Sequence, residues 1–112
     1  MEENKDWFEI ISNVESMEDY RDLHVSLINQ EGIDSLLFDA CEEMVKLIQA
    51  INKYRKEITV ENRAHLIEAV ADVQIAIDQI QVIAGFFYGH ELVEKKEEKI
   101  EKIKNRLEGD IL

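Results

Sequence analysis

Apolar positions recur every three or four residues along almost the whole chain, the spacing of amphipathic α-helix. Between Asp6 and Gln30 they fall at Trp7, Ile10, Ile11 and Val14, then at Tyr20, Leu23, Leu27 and Ile28, with an interruption near Ser16. This predicts a helical N-terminal segment ended by Gly32, with Asp34 or Ser35 capping the next helix. From Leu36 to Lys56 a seam of Leu37, Cys41, Met44, Ile48 and Ile51 repeats at helical period, widened by Leu36, Ala40 and Leu47. Asp39, Glu42, Glu43, Lys46, Gln49 and Lys53 take the opposite side. Cys41 sits on the seam and is expected to be a small core side chain.

Thr59 offers an N-cap for a third helix whose interior is apolar on nearly every side, from Leu66 and Ile67 to Val82 and Ile83. Such a helix is expected to be central and covered by several neighbours. Its polar residues His65, Glu68, Asp72 and Gln79 align along one stripe. Gly85 and Gly89 flank Phe86, Phe87 and Tyr88, the pattern of a helix end and a turn. The segment Glu91 to Leu107 is a charged helix with a narrow stripe of Leu92, Ile100, Ile103 and Leu107. Its Glu91–Lys95 and Glu98–Lys102 spacings suit surface ion pairs.

Composition agrees with an all-α chain, because 112 residues without proline and with only four glycines lack the punctuation of hairpins and sandwiches. The length fits one domain, 1–112, comprising an N-terminal segment 1–32 and the helices of 33–107. A single cysteine makes disulfide, zinc and iron–sulfur scaffolds poor readings. The net charge of −12 argues against duplex nucleic acid as a partner, since phosphate-backbone binding relies on Lys and Arg. The acidic start Met1–Asp6 is unlike a signal peptide, and no stretch is apolar enough to span a membrane, so a cytoplasmic protein is expected. The third helix is too apolar all round for its neighbours in one small chain to cover, which predicts a homodimer or homotetramer.

Carboxylates carry the candidate chemistry. Asp39, Glu42 and Glu43 can project from one side of the second helix, and Glu68 and Asp72, four apart, from the third. Facing carboxylates on two packed helices suit a hard divalent cation such as Mg²⁺, which keeps waters for a phosphate substrate. His24 and His90 show no companion that suggests ligation, and His65 is expected at the surface near the helix start. Trp7 and Phe8 are read as helix-interface side chains, with stacking on a nucleobase as the other role open to them.

The run Glu42 to Lys56 resembles the second helix of MazG-like nucleoside triphosphate pyrophosphohydrolases, and Leu66 to Gln79 resembles their third. The closing Lys102-Ile103-Lys104-Asn105-Arg106-Leu107 is similar to the tail of short, phage-type members. The resemblance implies a MazG-like bundle of four to five helices completed by oligomerisation. It also implies conversion of an NTP or dNTP to NMP and pyrophosphate with Mg²⁺ or Mn²⁺. The family signature is Glu-x-x-Glu on one helix and Glu-x-x-Asp on the next. Carried onto this chain, Glu43 matches the first ligand and Asp72 the last, while Lys46 and Ala69 stand at the second and third. Asp39, Glu42 and Glu68 are the nearest substitutes, although Glu42 and Glu68 point about 100° away from the ligand positions. An ammonium about 4 Å from a dication is repelled by roughly 8 kcal/mol at an effective dielectric near 20. Lys46 therefore suits an ion pair with Glu43 or Asp72 in place of the metal. Lys53, Arg55, Lys56 and Arg63 form a basic cluster that would steer a triphosphate in an active relative, and otherwise a solvated helix end. The alternative to a hydrolase is a non-catalytic nucleotide-binding or protein-assembly module on the same fold.

Overall fold

The computed structural model describes residues 17–111 and contains four helices: α1 (Met17–Glu31), α2 (Ile33–Lys56), α3 (Val60–Ala84) and α4 (His90–Ile111). No strand occurs among the described residues. Trp7, Phe8 and the apolar positions Ile10, Ile11 and Val14 lie outside them.

Helices α2 and α3 form the main unit, an antiparallel hairpin closed by residues 57–59, and α1 packs on both. The closing turn is held from both sides. Thr59 caps α3 as expected, its hydroxyl accepting from the Asn62 N–H at 3.0 Å, while Asn62 Nδ2 donates to the Glu57 carbonyl at 2.9 Å. At the far end, Gly85 adopts φ 82° and its N–H donates to the Val82 carbonyl, while the Phe86 N–H reaches the Gln81 carbonyl at 2.8 Å. That pairing satisfies two of the carbonyls left open at a helix C-terminus.

The joint between α1 and α2 is Gly32 alone, at φ 86° and ψ 153°. Its N–H donates to the Ile28 carbonyl at 2.9 Å, and its own carbonyl accepts from Leu36 N–H at 3.2 Å. Gly32 thus ends one helix and begins the next, with no side-chain cap. Asp34 and Ser35, expected as caps, lie inside the first turn of α2, where Asp34 still complements the helix dipole.

The interior is narrow. Leu36 and Ala40 of α2, Val73 of α3 and Phe87 beyond it are the buried apolar residues among those described. The expectation that α3 is covered by several neighbours fails within one chain, because Ile67, Val70, Ile75 and Ile77 are all exposed. Cys41 is exposed as well, not in the core. The cause is rotation of α2, which turns Leu36 and Ala40 toward α3 and leaves the Leu37–Cys41–Ile48 seam facing outward about 100° further round.

Helix α4 packs against no other helix among the described residues. Its described side chains are exposed apart from the half-buried Leu92. Lys95 pairs forward with Glu98 at 3.0 Å, instead of the expected pairing with Glu91. The radius of gyration is 17.7 Å, against about 13 Å for a compact domain of 100 residues.

Candidate functional site

An open cleft of about 240 Å³ lies where α1, α2 and α3 meet. Its walls are mostly apolar, from Leu27 of α1, Leu36 and Ala40 of α2 and Ile75 and Ala76 of α3. Onto this surface α2 places Asp39 and Glu43, one helical turn apart, and α3 places Asp72 and Gln79. Three of the five carboxylates singled out from the sequence therefore share one cleft, and Glu42 and Glu68 stay out of it, exposed on the outer helix faces.

The cleft is half-solvated. Asp39 and Asp72 are exposed, so the carboxylates of α3 do not sit in the buried stretch expected for them, and Glu43 is half-buried. Lys46 lies one turn beyond Glu43, its Nζ 3.4 Å from Glu43 Oε1. The lysine side chain is 63% exposed, so the pair is a weak surface contact worth tenths of a kcal/mol. Ala69 is half-buried on α3, one turn before Asp72, and supplies no oxygen to the cleft. Among the described residues no three His, Cys, Asp or Glu side chains come close enough together to hold a metal ion.

The basic cluster occupies the other end of the hairpin. Lys53, Arg55 and Lys56 form the last turn of α2 and Arg63 follows in α3. Ten residues separate Lys53 from Glu43, about 15 Å along the helix.

Beneath the cleft is a polar cluster that residue spacing alone did not mark. His24 of α1 is buried to 2% exposure, and its Nδ1 lies 2.8 Å from Gln79 Oε1. A carboxamide oxygen only accepts, so Nδ1 carries the proton in this contact. Gln79 Nε2 donates back to the His24 carbonyl at 3.3 Å. His24 Nε2 is buried and has no hydrogen-bond partner. Beside it Tyr20 donates to Asp78 Oδ2 at 2.8 Å and meets the imidazole edge-on at 4.6 Å. Burial above all, then the hydrogen bond to Asp78 and its negative charge, push the Tyr20 phenol up to about 12. Phe87 closes the cluster 6.1 Å from Tyr20. Tyr20, His24 and Leu27 share one face of α1 by spacing, but that pattern does not say what meets them. His65, by contrast, is exposed as expected.

Comparison with known protein families, curated proteins and solved structures gives no match. No described helix is long and apolar enough to cross a membrane.

Proposed function

We propose that the chain is a protein-assembly module on a MazG-like nucleotide pyrophosphohydrolase scaffold, with an ion pair standing where the hydrolase holds its metal. The observation that carries this reading is Lys46 Nζ at 3.4 Å from Glu43 Oε1 inside the motif. A cation-binding site needs oxygen at that position, and the protein supplies an ammonium. The lack of three close carboxylate, His or Cys side chains among the described residues supports this reading over a Mg²⁺ site, which demands near-octahedral oxygen ligands at short range. Without a metal the cleft also repels polyphosphate, because Asp39, Glu43 and Asp72 face it and the basic cluster lies at the other end of the hairpin. That weighs against the nucleotide-binding version and toward protein assembly, for which the exposed apolar residues of α2 and α3 supply the surface.

A second reading is favoured by one observation: Asp39, Glu43 and Asp72 line the same cleft. On this reading the chain is a Mg²⁺- or Mn²⁺-dependent hydrolase of (deoxy)nucleoside triphosphates, releasing NMP and pyrophosphate, with Asp39 replacing a lost ligand.

Direct measurement of pyrophosphate across a panel of NTPs and dNTPs, with each metal, separates the two. Release above the uncatalysed rate would overturn the assembly reading. The paired substitution Lys46→Glu with Ala69→Glu tests the stated cause. The double variant is expected to gain Mg²⁺ binding, seen as a rise in melting temperature with added metal that the native chain lacks. No gain would sink the assignment of these two positions.

A further inference from the structure

We propose that the exposed seam of α2 is the contact through which two copies of this chain pair, antiparallel, about a two-fold axis passing near Cys41. The inference builds on the assembly reading by naming the partner and the surface.

Ile33, Leu37, Cys41, Met44, Ile48 and Ile51 fall within an arc of about 80° on α2. Ile48 is 58% exposed and Ile33 47%, so the stripe is open to solvent for most of its length. The stripe spans nineteen residues, roughly 27 Å of helix. An isolated exposed leucine needs no explanation, whereas a continuous stripe of this length marks an interaction surface.

Two observations point to a second copy as the occupant. The first is symmetry. Read in opposite directions the seam matches itself, Ile33 opposite Ile51, Leu37 opposite Ile48 and Cys41 opposite Met44. A two-fold contact requires a self-complementary patch of this kind. The second is charge. Asp34 lies in the first turn of α2, and Arg55 and Lys56 lie in the last. Antiparallel pairing sets the acidic end of each helix beside the basic end of the other and opposes the two helix dipoles, whereas parallel pairing sets like against like.

The lone cysteine gives a direct test. In this register the two Cys41 residues are offset by about 4.5 Å along helices spaced 8–10 Å apart, within reach of a short bis-maleimide. Sedimentation at micromolar concentration is expected to show a dimer, and the reagent to convert most of the chain to a covalent dimer. Ile48→Asp is expected to raise the dissociation constant at least about tenfold, since an aspartate would be buried against apolar side chains. Asp34→Arg and Arg55→Asp should each weaken the dimer, and the two together should restore it. These charge variants lie at exposed positions, and unchanged helicity by circular dichroism confirms that they fold. A monomer overturns the proposal, including one in which Cys41 resists alkylation because residues 1–16 cover it. A dimer indifferent to Ile48→Asp, or one that yields no crosslink, overturns it too. A dimer that releases pyrophosphate would overturn the assembly reading and leave this interface standing.

Discussion

His24 is the most buried large side chain described, yet one of its two ring nitrogens has no partner. The other is held by Gln79, which also lines the cleft, so a single amide connects the acidic surface to the interior. Replacing Gln79 with methionine leaves the Nδ1–H buried and unpaired, at a cost of about 1–3 kcal/mol. Adding His24→Leu removes the stranded donor, and urea unfolding should show the double variant losing less stability than Gln79→Met alone. Tyr20 makes a pH-dependent contribution. Its phenol titrates at 10.0 in the unfolded reference and at about 12 in the fold. The unfolded chain thus gives up this proton first, so the contribution is fully present below pH 10 and lost as pH rises from 10 to 12. Urea midpoints across that window should fall, and Tyr20→Phe should flatten the fall. Neither role was legible in the sequence. A lone histidine and a lone tyrosine gain meaning only when α3 brings Gln79 and Asp78 to them, from 55 and 58 residues away.

At the level of elements, periodicity and capping chemistry identified most of the helices. Thr59 and Gly85 act as their types suggest, and α2 and α3 end where expected. The start of α2 was misread for an identifiable reason. Asp34 and Ser35 are good capping residues, but a cap needs a free first turn, and Gly32 had already turned the chain. Its φ 86° and ψ 153° belong to a region essentially reserved for glycine. A Cβ there would meet nothing within 4 Å, so the penalty for Gly32→Ala is purely one of backbone conformation, about 1–3 kcal/mol. Gly109 is equally unobstructed but helical, and alanine there should raise helicity by circular dichroism instead. Opposite signs at two equally open positions would isolate the dihedral as the cause.

Across the whole molecule, the sequence indicated which helices are amphipathic but not which arc of α2 would be chosen for the interior. Two apolar arcs compete on that helix, Leu36 with Ala40 and Leu37 with Cys41 and Ile48, and hydrophobicity alone does not rank them. The chosen arc carries the smaller Ala40, which permits close approach of α3, and the same rotation carries Asp39 and Glu43 to the cleft. The acidic site and the open seam are thus two results of one rotation. The candidate ligands Glu43 and Asp72 could be read from their spacing together with the family resemblance. Their shared cleft and the exposure of Cys41 could not, because both depend on that rotation.

Helix α4 touches no other described helix and only Leu92 among its described side chains is half-buried, so little in the described chain beyond its own backbone bonds and the Lys95–Glu98 pair holds it in shape. Most helical stability in proteins comes from packing an amphipathic face against the rest of the fold, and α4 lacks that packing among the described residues. Its amide hydrogens should therefore exchange with deuterium within an order of magnitude of the unstructured rate, while those of α2 and α3 wait for larger openings. Mass-resolved exchange would show two clocks in one small protein. If α4 instead runs on the slow one, another surface is holding it.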